Sequence, residues 1–278
     1  MAEIEFVEAN SVRFAYLSEG SGPLVLLVHG FPDTAHTWDA VRPALAAAGY
    51  RAVSPFTRGY FPTAIPADGR YDDQTLGRDL LALIPALGAE RAIVVGHDWG
   101  ATAAYAAAGI DPSKLDALVT VAIPHPAALL PLPRILWGVR HFWRLKRASA
   151  AEFCRANHFA YLDELVHRWS PAWAVPPGET DAVKESLSHP GALDAALGYY
   201  RQLTLRGSPA QRRHVQVPAA VFSGADDGIL RRADYERSLR CYDAGCAIVH
   251  MPGGHFLHRE HPERFIAELL RFLGALAR

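Results

Sequence analysis

The sequence has few cysteines, almost no net charge and no long apolar run. Its three cysteines, Cys154, Cys241 and Cys246, follow no spacing typical of metal sites. Isolated thiols of this kind are typical of a reducing compartment, where they act as small apolar side chains. The first residues contain neither the basic nor the apolar part of a signal peptide. We therefore expect a cytoplasmic protein.

The balance of charge argues against two classes of partner. Lys and Arg number 28 and Asp and Glu 29, so the net charge is −1. Such a chain gives no reason to expect a nucleic acid or an anionic membrane surface as a partner. No apolar stretch is long enough to span a membrane without charges or prolines. The 278 residues are 50% hydrophobic, which suffices for one large domain or for a core with an inserted lid.

The chain alternates between strand and helix patterns in its first and last parts. Residues 3–9 and 12–18 alternate apolar and polar positions around Asn10-Ser11, which predicts a hairpin. Buried-strand patterns then alternate with helical ones, which predicts a mainly parallel sheet covered on both faces. The strand patterns occupy residues 23–28, 50–54, 91–95, 114–122, 215–222 and 244–250, and the helical ones residues 37–48, 76–87, 101–107 and 262–276.

Residues 127–213 lack this alternation. They contain no buried-strand pattern, and helical patterns occur around residues 134–146, 150–157, 160–168 and 192–205. We interpret the segment as a helical cap inserted into the sheet domain. The predicted core therefore consists of residues 1–126 and 214–278, and the predicted cap of residues 127–213.

One stretch has the form of a nucleophile elbow, a strand-to-helix turn in which glycines flank the nucleophile. It reads Val94-Val95-Gly96-His97-Asp98-Trp99-Gly100 and leads into a helical pattern of small residues. A carboxylate at the position of Asp98 cannot form an ordinary acyl-enzyme, but it can attack a saturated carbon and form an alkyl ester. The alternative is a turn aspartate that caps the next helix.

Three other loops follow predicted strands and carry residues that suit a site around Asp98. In His29-Gly30-Phe31-Pro32, the backbone N–H of Phe31 can join that of Trp99 at a developing oxyanion. The alternative is a plain strand-to-helix loop.

The other two loops supply a carboxylate and a histidine. Asp226 and Asp227 follow a predicted strand, and either can orient a histidine. We favour Asp227 and keep Asp226 as the second candidate. His255 follows two glycines that let its loop bend into a pocket. The order Asp98, Asp227, His255 is the order of nucleophile, acid and histidine in the α/β-hydrolase fold.

Over nearly its full length, the chain resembles the epoxide hydrolase group of the α/β-hydrolases. The resemblance implies an α/β fold with a mostly parallel eight-stranded sheet, flanking helices and an inserted helical cap. It also implies a small apolar epoxide and water as reactants, with no cofactor and no metal; a homodimer stays open. The motifs that carry it are His29-Gly30-Phe31-Pro32, Arg58-Gly59-Tyr60, Gly96-His97-Asp98-Trp99-Gly100 and Gly253-Gly254-His255.

The resemblance implies a role for each candidate residue. Asp98 would attack an epoxide carbon and form a hydroxyalkyl ester, and His255, oriented by Asp227, would activate the water that hydrolyses it. The N–H groups of Phe31 and Trp99 would hold the oxyanion, with His29 counted in the same oxyanion and substrate-binding group. The resemblance also predicts a cis peptide between Phe31 and Pro32.

Two cap residues would hold and protonate the epoxide oxygen, and in the family both are tyrosines. Tyr200, in Leu197-Gly198-Tyr199-Tyr200-Arg201, matches the second. His141 stands where the first tyrosine is usual, and some members of the group use such a His/Tyr pair. The alternative is that His141 is an ordinary cap residue. A second departure, Phe61-Pro62-Thr63, affects only the local loop.

Two other functions compete with the epoxide hydrolase interpretation. A haloalkane dehalogenase would use Asp98 and His255 but needs two halide donors. Trp99 could be one, yet Phe31 stands where dehalogenases tend to carry Asn or Glu. A pocket that binds a ligand without turning it over is the third hypothesis. Most aromatic residues of the cap are expected to form its own core, and some to line a pocket.

Overall fold

A computed structural model describes residues 3–204 and 207–276, and within that range one sheet of eight strands lies at the centre. The spatial order is β1-β2-β4-β3-β5-β6-β7-β8. Strand β2 pairs antiparallel with both β1 and β4, and all the other neighbouring strands are parallel. The strands are β1 (Ile4–Ala9), β2 (Val12–Glu19), β3 (Leu24–Val28), β4 (Arg51–Pro55), β5 (Ala92–His97), β6 (Leu115–Val121), β7 (Ala219–Gly224) and β8 (Cys246–Met251).

Helices cover both faces of the sheet. Every residue of β3 is buried: Val25 and Leu27 pack with α1 (Val41–Ala47) and α11 (Pro262–Leu276). Leu26 and Val28 belong to the core on the opposite face. That face also includes residues of α2 (Asp73–Ala86) and α3 (Trp99–Ile110). The predicted mainly parallel sheet with two covered faces is therefore confirmed.

The segment between β6 and β7 is helical, and we call it the cap. Its helices are α4 (Pro133–Gly138), α5 (His141–Leu145), α6 (Ala150–Trp169, interrupted at Ala156–Phe159), α7 (Asp181–Ser188) and α8 (Ala192–Gln202). The helix predicted over residues 192–205 ends at Gln202 in the structure, and residue 205 lies outside the described residues. Two short helices follow β7, namely α9 (Arg232–Ser238) and α10 (Leu257–Glu260). None of the helices in the described ranges has the length and apolarity needed to cross a bilayer.

Two predicted boundaries are wrong because of prolines. The helix predicted from residue 37 is a 3₁₀ turn, Ala35–Trp38, followed by α1. Pro43 lies in the first turn of α1, where its ring is tolerated, but it would clash with the carbonyl of residue 39 in a longer helix. The strand predicted from residue 215 begins at Ala219, directly after Pro218, which has no N–H to donate.

A buried ion pair joins the loop after β4 to helix α2. The Arg58 guanidinium donates to both carboxylate oxygens of Asp79, at 2.6 and 2.7 Å. Arg58 is 1% exposed and Asp79 3%. Because both groups have left water, each depends on the other for compensation.

We predict that Arg58→Met destabilises the protein by about 3–5 kcal/mol, because it leaves the Asp79 carboxylate buried without its partner. The free energy of unfolding in urea measures this. Arg91→Met is the control, because Arg91 pairs with Asp116 where both side chains are about half exposed, and it should lose less than about 1 kcal/mol. Equal losses in the two variants would contradict the prediction.

Candidate active site

Asp98 occupies the turn between β5 and α3. Its φ of +51° is unusual for a residue with a side chain, as expected of a nucleophile at a strained elbow. A Cβ at Gly96 would clash with the backbone of Gly100, and one at Gly100 with the backbone of Val28. The close approach of these segments therefore requires glycine on both sides of Asp98.

The loop after β3 holds one oxygen of the Asp98 carboxylate. The backbone N–H of Phe31 donates to Asp98 Oδ1 at 3.0 Å. The peptide between Phe31 and Pro32 is cis, as predicted, and a second cis peptide precedes Pro62. Trp99 is the first residue of α3, where a backbone N–H has no acceptor within the helix. Both predicted oxyanion donors thus flank Asp98.

The other oxygen faces His255, in the loop after β8. His255 Nε2 lies 3.3 Å from Asp98 Oδ2, and His255 Nδ1 lies 3.6 Å from Asp227 Oδ2. The other oxygen of Asp227 accepts backbone N–H groups of Ile229 and Leu230, at 2.7 and 2.8 Å. These bonds turn Asp227 inwards, whereas Asp226 is exposed. The structure therefore brings together Asp98, His255 and Asp227, and leaves Asp226 outside.

One carboxylate on each side of His255 raises the pKa of its imidazole. Burial alone would lower the pKa of His255, but the hydrogen bond to Asp98 and the negative charges of Asp98 and Asp227 raise it to about 9. Burial alone would raise the pKa of Asp98, but the hydrogen bond and charge of His255 hold it below its usual value. At neutral pH the site therefore contains an Asp98 carboxylate and an imidazolium.

His29 corrects one expectation. It is fully buried, and its Nε2 accepts the backbone N–H of Thr57 at 2.9 Å. Its Nδ1 must then carry the proton, which it donates to the Gly30 carbonyl at 2.9 Å. Both ring nitrogens are occupied, so the side chain has no donor left for an oxyanion or a substrate. It ties the loop after β3 to the loop after β4.

The two predicted cap residues lie together above Asp98. The Tyr200 ring packs edge-on against two other rings. Its centroid lies 5.3 Å from that of Phe31 and 5.2 Å from that of Trp99. The His141 ring is 5.9 Å from that of Tyr200. Tyr199 points elsewhere and donates its hydroxyl to the Arg58 carbonyl at 2.8 Å.

The cap residues differ in what they can donate. Burial and the charge of Asp98 raise the pKa of Tyr200 well above its usual value, so its hydroxyl stays protonated. Burial lowers the pKa of His141 to about 3, which makes it neutral. Its Nδ1 lies 3.3 Å from the Gly138 carbonyl, and because a carbonyl only accepts, the proton is on Nδ1. His141 Nε2 is therefore an acceptor in this arrangement.

Sequence analysis missed the part that Trp169 plays in the site. Its carbonyl accepts the backbone N–H of His255 at 3.1 Å, and its ring lies 5.3 Å from that of His255 and 4.7 Å from that of His141. The cap aromatics were expected mainly to form the cap's own core. No local pattern reveals this contact, because it arises where the end of α6 meets the loop after β8.

Among the described residues, the group with metal-binding spacing consists of Asp33, His97 and His258. It includes neither Asp98 nor His255.

Comparison with known proteins gives one family and several relatives. The family described as alpha/beta hydrolase fold matches residues 23–262. Epoxide hydrolase 3 of Siraitia grosvenorii is 36% identical, with 99% of both chains covered, and the AB hydrolase superfamily protein YfhM of Bacillus subtilis is 30% identical over 97% of both. The crystal structure of a Bacillus megaterium epoxide hydrolase with an inhibitor superposes with a TM-score of 0.86 at 21% identity, covering 97% of this chain and 100% of the other. At that identity, the structural similarity shows the fold alone.

We predict that Asp227→Asn lowers the pKa of His255, because it removes one of the two charges that raise it to about 9. Asp226→Asn is the matched control and should leave that pKa unchanged. Titration of the histidine ring signals by NMR measures both, with His255→Gln to assign the signal. A fall in the Asp226 variant alone would reverse the assignment of the acid.

Proposed function

The chain belongs to the alpha/beta hydrolase fold family, and from this we propose that it is an epoxide hydrolase, which converts a small apolar epoxide to a vicinal diol through an ester on Asp98. One observation carries the proposal. The Asp98 carboxylate lies between the Phe31 N–H at 3.0 Å and the His255 imidazole at 3.3 Å. The named epoxide hydrolases among the relatives support the same reaction class.

In the first step, Asp98 Oδ2 attacks an epoxide carbon, because Oδ1 is held by the Phe31 N–H. The bond from Oδ2 to carbon forms as the ring C–O bond breaks. The ring oxygen takes a proton from the Tyr200 hydroxyl, since an alkoxide is a poor leaving group. Oδ1 becomes the ester carbonyl and stays beside its donors.

In the second step, ester formation itself prepares the base. The ester removes the Asp98 charge, one of the two carboxylate charges that raise the pKa of His255. The imidazolium then gives up its proton more easily, and the proton restores Tyr200 by way of water. Neutral His255 deprotonates a water molecule that attacks the ester carbon, where the N–H groups of Phe31 and Trp99 stabilise the oxyanion. The bond from Cγ to Oδ2 breaks, and His255 protonates the departing diol oxygen. The proton left on the new oxygen of Asp98 then passes to His255, which restores the resting carboxylate and imidazolium.

Tyr200 is the principal acid in this proposal, and His141 is secondary. His141 can donate only if its proton moves from Nδ1 to Nε2, which gives up the Gly138 carbonyl at 3.3 Å. Phe31, Trp99, Phe142 and Trp169 surround the pair with apolar rings, which supports an apolar epoxide as substrate.

We predict that His255→Gln stalls after ester formation, because the ester forms but no base activates water. Intact-protein mass after mixing with styrene oxide should rise by one substrate mass. Asp98→Asn combined with His255→Gln is the control and should keep its mass. An unchanged mass in His255→Gln, with turnover of styrene oxide by the wild type, would count against the covalent step.

We predict that Tyr200→Phe lowers kcat for epoxide opening by roughly 100-fold, because it removes the proton donor. Tyr199→Phe is the matched control, since its hydroxyl bonds the Arg58 carbonyl outside the site, and it should change kcat by less than about tenfold. His141→Phe should fall between the two. Similar rates in Tyr200→Phe and Tyr199→Phe would refute this assignment of the acid.

One assay panel separates the competing functions. Aryl and alkyl epoxides are tested beside chloroalkanes and bromoalkanes, with diol and halide as the measured products. Halide release without diol formation would identify a dehalogenase. Ligand binding that survives in Asp98→Ala, with no turnover by the wild type, would identify a binding protein.

A further inference from the structure

A second polar cluster, formed by Asp33, His97 and His258, lies behind the nucleophile turn. One possible ligand atom of each residue lies within 4.8 Å of those of the other two. All three side chains are buried, at 3%, 0% and 1% exposure. Asp33 Oδ2, His97 Nδ1 and His258 Nδ1 have no hydrogen-bond partner among the described residues. A buried polar atom without a partner is costly, so three such atoms together indicate a shared ligand.

The opposite side of each residue is fixed by the protein. His97 Nε2 lies 3.0 Å from the His255 carbonyl, and His258 Nε2 lies 2.7 Å from Thr37 Oγ1. Asp33 Oδ1 accepts from the backbone N–H of Thr34 and from the Arg259 guanidinium. Metal-binding histidines and carboxylates are usually held in this way by a second group behind them.

The hydrogen bonds also limit what kind of ligand fits. A carbonyl only accepts, so the proton of neutral His97 is on Nε2, and His97 Nδ1 presents a lone pair. Asp33 Oδ2 presents another. Lone pairs that face one another need a cation or a hydrogen-bond donor between them. Two imidazole nitrogens and one carboxylate oxygen are ligands typical of divalent transition metals.

The surrounding charge is compatible with a cation. Two cations lie beside the cluster, and each is paired with two carboxylates. Arg259 pairs with Asp33 and Glu179, and His255 with Asp98 and Asp227. Because the carboxylates outnumber the cations, the surroundings of the cluster carry a net negative charge, which favours a dication.

We propose that Asp33, His97 and His258 bind a divalent first-row transition metal such as Zn²⁺ through Asp33 Oδ2, His97 Nδ1 and His258 Nδ1. Metal bonds of about 2.0–2.1 Å bring ligand atoms to about 3–3.5 Å from one another, so the side chains turn slightly inwards on binding. The ion links the loop after β3, the residue before Asp98 and α10. Its role is structural, and no reaction step depends on it.

Metal content measures the proposal directly and does not depend on the proposed reaction. The untagged protein is produced with added zinc, dialysed against a chelator and analysed by inductively coupled plasma mass spectrometry. We expect about one metal ion per chain in the wild type and almost none in His258→Gln. His214→Gln is the control, because His214 pairs with Asp243 on the surface, and it should keep the ion. A wild type without metal, or equal loss in the two variants, would overturn the proposal.

A second measurement covers the case in which His258→Gln does not fold. The full chain is unfolded with chelator and refolded with or without Zn²⁺. We expect Zn²⁺ at 100 times its Kd to raise the Tm of the wild type by roughly 5 °C. An unchanged Tm, together with a crystal structure that shows only water between the three side chains, would refute the site.

Discussion

The Asp98 side chain is 15% exposed, and a charge that has lost most of its water is stable only where hydrogen bonds and opposite charge replace that water. The Phe31 N–H and the His255 imidazole provide this compensation. They come from the loops after β3 and β8, while Asp98 follows β5. A single ionised group therefore draws together three loops at one edge of the sheet, and the same contacts are those that an attacking carboxylate needs.

The cap completes this arrangement from above. Tyr200 packs against Phe31 and Trp99, so its hydroxyl and the Asp98 carboxylate share surroundings lined by apolar rings. Trp169 joins the cap to the same site, because its carbonyl holds the backbone of His255. The position of His255 thus depends on the cap as well as on the core.

Local sequence patterns predict much of this molecule, whereas contacts between segments that are distant in the sequence cannot be predicted from such patterns. The continuous apolar run of β3 and the glycine spacing around Asp98 are local, and they predict the buried strand and the strand-to-helix turn that the structure contains. The choice between Asp226 and Asp227 depends on which carboxylate the following N–H groups capture, which spacing alone cannot decide. His29 was misassigned because one of its partners, Thr57, lies in another loop. Helices α7 and α9 were missed because they are short, and the buried face of α9 includes Asp234 and Ser238.

The hydrogen bond from the Tyr199 hydroxyl to the Arg58 carbonyl limits how far helix α8 of the cap can move away from the core. It fastens α8 to the core one residue before Tyr200, and Arg58 is itself anchored to α2 through Asp79. As long as these bonds persist, α8 stays in place, and the distance between Tyr200 and the turn at Asp98 is fixed.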